Sequence, residues 1–158
     1  MTGTPPATRA RNLLLTVHVA AAASVLGADL SIVALAIASI GGGGAPAMAS
    51  AAHIVAAWLV APLALVALAS GIALGLSTQW GLFRHWWVVI KLALTAALTA
   101  VVFFVLVPRL GAIAAAAAPA VGLPMVAAPT IGSLLLFVTI ALAVFKPGGR
   151  VRQLRHPA

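Results

Sequence analysis

A chain of 158 residues that is 64% hydrophobic and only 6% charged cannot cover its surface in water, where soluble domains carry about a quarter charged residues. Its net charge of +8 would suggest nucleic acid in a soluble protein; here the bases flank long apolar runs, so they read as anchors at anionic headgroups, and nucleic acid is set aside as a partner. The absence of cysteine excludes disulfides, thiolate metal sites and thiol catalysis.

The first apolar run, about 13–40, contains His18 and Asp29. Arg9 and Arg11 before it and "APAMA" (45–49) after it suggest a secretory signal, but a signal's apolar region is about 7–15 residues long. This run is about twice that and holds an acid, so it is read as a retained span. "GGGGAP" (41–46) ends it and supplies Pro46 for the first turn of the next helix. The second run spans about 46–76, the third 86–107 with its end expected before Pro108, and the fourth about 127–145, stopped by "KPGG" (146–149). Roughly 20 residues cross the hydrocarbon core, so each run is long enough.

Orientation follows from the bases. Arg9, Arg11, Arg84, Lys91, Lys146, Arg150, Arg152 and Arg155 share one side of a four-span chain, leaving only Arg109 on the other. Both termini are therefore expected in the cytoplasm. The stretch "STQWGLFRHWWVVIK" (77–91) then falls at headgroup depth. Trp80, Trp86 and Trp87 form an aromatic belt there, Arg84 and Lys91 reach phosphates, Lys91 by snorkelling, and His85 is a solvated neighbour.

"TVHVAAAASVLGA" (16–28), "WGLFRHWWVVIKL" (80–92) and "VFKPGGR" (144–150) resemble a family of small, largely uncharacterised bacterial four-span integral membrane proteins, over spans one to three and the tail. A histidine early in span one and a Trp–Lys start to another span are more distantly similar to membrane domains of copper-resistance type. The resemblance implies a four-span fold in the bacterial cytoplasmic (inner) membrane and carries no reaction with it.

Asp29 is the chain's only acid, and an ionisable group at that depth costs at least about 2.5–3.5 kcal/mol and usually faces the bundle interior. His18 and Asp29 lie 11 residues apart, about 1,100° of rotation, and so share one helix face about 16 Å apart. Folding Ile40 opposite Pro46 puts Asp29 level with Ala57, one residue from Trp58 and four from His53. Pro62 cannot donate to the carbonyl of Trp58 and is expected to kink span two. Asp29, His53 and Trp58 are therefore expected to converge, either as a hydrogen bond joining two helices or as a proton or cation site.

A bis-histidine haem would need His18 and His85 at one depth, and they are offset by about 10 Å. Copper(I) would prefer soft ligands; Met48 and His53, with Met125, are the candidates. No cofactor is expected. Ala20, Ser24, Gly27 and Ser31 form a small-residue stripe opposite the polar face, and Gly71 and Gly75 make a GxxxG; both permit close helix contact, hence a homo-oligomer or membrane complex.

The sequence thus predicts an all-α membrane protein, a four-transmembrane-helix up-and-down bundle forming one domain with a cytoplasmic tail at 146–158. One acid and no paired carboxylates, nucleophile set or phosphate loop exclude hydrolysis and phosphoryl transfer, so no enzyme activity is expected. The expected role is a binding or accessory component of the membrane; the alternative is a small proton or metal-ion transporter using the Asp29 level.

Overall fold

The computed structural model describes residues 6–41, 44–77, 86–116 and 123–145. Helix α1 runs Pro6–Ala38 and tightens into a 3-10 turn, Ser39–Gly41. Helices α2 (Ala45–Val55) and α3 (Ala61–Ser77) are joined through a π turn, Ala56–Val60. Helices α4 (Trp86–Val101) and α5 (Val107–Ala116) are joined likewise through Val102–Leu106, and α6 covers Leu123–Phe145. Among the described residues this makes four continuous helices long and apolar enough to cross a membrane: span one (α1), span two (α2–α3), span three (α4–α5) and span four (α6).

Each span packs against the next, and span four closes on span one, so spans one and three lie across one diagonal of an up-and-down bundle. The near end of the bundle holds the start of span one, the end of span two, the start of span three and the end of span four. Pro46 sits in the first turn of α2 as expected, following Gly44 at the cap.

Three boundaries differ from expectation. The described helix of span one reaches back to Pro6 rather than beginning near residue 13. Span four starts at Leu123 and carries Pro129 inside it. Span three does not stop at Pro108. It widens into a π turn just before the proline, where the Val107 N–H bonds to the Val102 carbonyl, and then continues to Ala116.

Span two does the same ahead of Pro62, with the Ala61 N–H bonding to the Ala56 carbonyl. The expected kink therefore takes the form of a π turn. In both places a regular turn would set the proline ring against the carbonyl four residues back; one wide turn relieves that clash and lets the helix go on. The two π turns touch each other, and that of span two also packs on span one.

The far half of the bundle is tightly filled. Ile32, Ala36, Ala49, Ala52 and Ala56 are fully buried, with Val60 and Leu110 beside them. Alanine on both sides lets the backbones approach closely, which is how helices associate where lipid is as apolar as the core. The near half is not filled in this way.

Candidate functional site

Among the described residues, two adjoining and partly open cavities lie between the spans in the near half. The larger, about 440 Å³, is walled by all four spans and reaches from His18 and Lys91 to Asp29 and Gly132. The smaller, about 240 Å³, lies toward the near end beside Trp87 and Gly75. His18, Ala67, Lys91, Thr95 and Ala143 border both and so form a waist between them. The walls are otherwise mostly aliphatic, with Thr99 and Thr139 as further hydroxyl groups in the larger cavity.

His18 is held from span two. Its Nδ1 lies 3.0 Å from the Ala67 carbonyl oxygen and 3.1 Å from Ser70 Oγ. A carbonyl can only accept, so Nδ1 carries the hydrogen. Ser70 donates its own hydrogen to the Val66 carbonyl at 2.6 Å, which leaves its oxygen free to accept from the ring. In the neutral imidazole Nε2 is therefore proton-free. The register expected between spans one and two holds at this level, since His18 stands against Ala67 and Ser70.

Asp29 has a different partner from the one the sequence suggested. It is buried, and Ser133 of span four donates to its Oδ2 at 2.7 Å. Trp58, the expected partner, is 76% exposed on the outside of the bundle. The level was right and the rotation was not: Ala56 and Val60 hold the inward face of span two, and Trp58, two residues from each, points the other way. His53 does not join Asp29 either. It packs on span three, where a Cβ at Gly111 would stand 3.0 Å from its Nε2.

The same device recurs at each of these three side chains. A Cβ at Gly71 would stand 3.0 Å from His18 Cε1, and one at Gly132 would stand 3.3 Å from Asp29 Oδ2. Each ionisable group thus occupies a recess that a neighbouring glycine opens. Gly71, read from sequence as half of a self-association motif, is a seat for His18. The stripe of Ala20, Ser24, Gly27 and Ser31 is exposed, and a Cβ at Gly27 would meet nothing within 4 Å.

Lys91 faces the interior of the near half. Expected to snorkel toward headgroups, it lines both cavities, as His18 does. Trp86 is 58% exposed, as a belt residue would be, whereas Trp87 lines the smaller cavity. Trp80, Arg84 and His85 lie outside the described residues, as do the four tail bases and the pairing of His18 with His85. Met48 and His53 are five residues apart on α2, about 140° around the helix, and do not converge on one ion; the Met125 side chain lies outside the described residues. Among the described residues no three His, Asp or Glu side chains gather as a metal set.

Thr95, Thr99 and Thr139 donate their hydrogens within their own helices, to the carbonyls of Lys91, Thr95 and Leu136 at 2.8 Å each. They can offer lone pairs to the cavity and no hydrogen. Among the described residues of its wall, Lys91 is the only donor of formal charge. No protein-family model, no curated protein and no solved structure matches the chain.

Proposed function

We propose that the chain is a multi-pass protein of the bacterial cytoplasmic membrane, with both termini in the cytoplasm, and that it is a non-enzymatic binding component whose bundle interior receives a ligand from the membrane. The placement rests on the asymmetry of the bases and on the resemblance to small bacterial four-span proteins. One observation supports binding over transport. The cavity ends at Asp29, and the fully buried Ile32, Ala36, Ala49, Ala52 and Ala56 fill the bundle beyond it. His53, which a path across the bundle would need, is not among the cavity's lining residues. A pocket closed at one end suits a ligand that enters and leaves by the same side.

Access from the lipid is supported by two of the lining residues. Val19 of span one is 58% exposed and Ile140 of span four is 38% exposed, although both border the larger cavity. Exposure at these cavity-lining positions makes spans one and four the side from which a ligand would enter. The test is extraction of the purified protein followed by mass spectrometry of its small molecules. A compound enriched over bulk lipid in the wild type and lost in Ala67→Phe, which fills the waist, is the expected result. Bulk lipid alone in both proteins would refute the proposal.

A further inference from the structure

The waist has a donor and acceptor pattern that selects a chemical class. Lys91 brings a positive charge, and the chain's only acid, Asp29, is bonded to Ser133 about 16 Å away along span one. That distance is measured from His18, and the bond Asp29 makes is the 2.7 Å contact with Ser133 rather than one with the Lys91 ammonium group. The His18 ring, which borders the same cavities as Lys91, has committed Nδ1–H to span two, so its Nε2 is proton-free in the neutral ring. The waist therefore lacks two things: an anion for Lys91 and a proton for His18.

A carboxylic acid supplies both at once. It crosses lipid as the neutral acid and gives its O–H proton to His18 Nε2. The O–H bond breaks, an N–H bond forms, and its electron pair stays on the carboxylate between imidazolium and ammonium. No charge need cross the lipid for this to happen. A phosphodiester headgroup arrives already ionised and has no proton to give.

The shape selects the rest of the molecule. From the waist to Asp29 the larger cavity extends about 16 Å along span one. The hydrocarbon core is about 30 Å thick, so one leaflet is about 15 Å deep. Lys91 lies only five residues after Trp86, the exposed belt residue that opens span three. A carboxyl group at the waist would thus stand near its depth in the adjoining leaflet, with a single acyl chain running toward Asp29 and the exposed lining residues Val19 and Ile140 on the side of its entry.

We propose that the waist between the two cavities binds the carboxyl group of a long-chain carboxylic acid, held by Lys91 and His18, with its chain in the larger cavity. This rests on the reading of the interior as a ligand pocket and names the ligand's class. The test uses the full chain in phosphatidylcholine nanodiscs equilibrated with radiolabelled palmitic acid or hexadecanol, with empty nanodiscs correcting for partition. Palmitic acid is expected to saturate at one molecule per chain, and hexadecanol to bind at least about tenfold more weakly, since a charged hydrogen bond is lost. Lys91→Gln should weaken palmitic acid by a similar factor while Lys91→Arg keeps most of the affinity.

Equal binding of acid and alcohol would overturn the carboxyl assignment and leave the pocket reading standing. Saturable binding of neither would remove both. Displacement of palmitic acid by excess acetate would make this a site for free anions, and displacement by phosphatidylglycerol a lipid-headgroup site; either overturns the proposal. Should Lys91→Gln fail to fold, the comparison of acid with alcohol on the wild type decides.

Discussion

The bond between Ser133 and Asp29 ties span four to span one, and a double-mutant cycle can weigh it. Ser133→Ala strands a buried carboxyl oxygen that has no other donor within the described residues. Asp29→Ala is less damaging, because the Ser133 hydroxyl can turn back to the Pro129 carbonyl four residues earlier. Hydrogen bonds between helices in membrane proteins average about 0.6 kcal/mol and reach about 1.7. At 2.7 Å, buried and on a carboxyl group, this one belongs to the upper part of that range. Ser133→Ala should therefore cost about 1–1.7 kcal/mol in the wild type. In an Asp29→Ala background the same change should cost under about 0.5 kcal/mol. Reversible unfolding by SDS titration in mixed micelles, followed by far-UV circular dichroism, measures all four corners. A parallel cycle of Asp29→Ala with Trp58→Ala should show coupling within about 0.5 kcal/mol of zero. Equal costs of Ser133→Ala in the two backgrounds, or coupling to Trp58 instead, would refute the assignment.

The glycine recesses make a second prediction: Gly71→Leu and Gly111→Leu, which drive side chains into His18 and His53, should each destabilise the bundle by about 1–3 kcal/mol in the same assay, while Gly27→Leu, in open space, should change it by less than about 0.5 kcal/mol. Topology is checked with fusions: a reporter after Ala158 should be active in the cytoplasm and one inserted at Gly43 outside it, and an external carboxyl terminus would contradict the asymmetry of the bases.

Span number, the turn at Pro46 and the level at which span two meets span one were all legible, because they depend on lengths and on proline and glycine positions. Rotation about each helix axis was not. In a soluble helix the polar face marks the outside, but here lipid and core are equally apolar, so nothing about Trp58 says which way it points. Its exposure follows from alanine: Ala49, Ala52 and Ala56 take the inward face because small side chains let spans close up. A usable signal was present in "GS" at 132–133, a recess and a donor side by side, and in Gly71 and Gly111. Pro108 misled for a related reason. A proline ends a helix when its clash cannot be relieved, and a π turn relieves it without exposing backbone to lipid.

The ionisable groups of the bundle are not provided for equally, and the inequality bears on where function resides. His18 has a carbonyl and a hydroxyl from span two, and Asp29 has the Ser133 hydroxyl. His53, like both of these, has a glycine beneath it. Each arrangement offsets part of the cost of holding a polar group among apolar helices. Lys91 has no such arrangement among the described residues: no acidic side chain besides Asp29 exists in the chain, and the hydroxyls nearest along its helix, Thr95 and Thr99, have spent their hydrogens on backbone carbonyls. Their lone pairs could accept from an ammonium group but could not neutralise it. A leucine at position 91 would fit the surrounding wall and cost nothing in desolvation. Local choices that work against stability without a compensating contact are the mark of positions kept for another purpose. By that criterion Lys91, rather than the bonded Asp29, is the position that the proposed carboxylate ligand would account for.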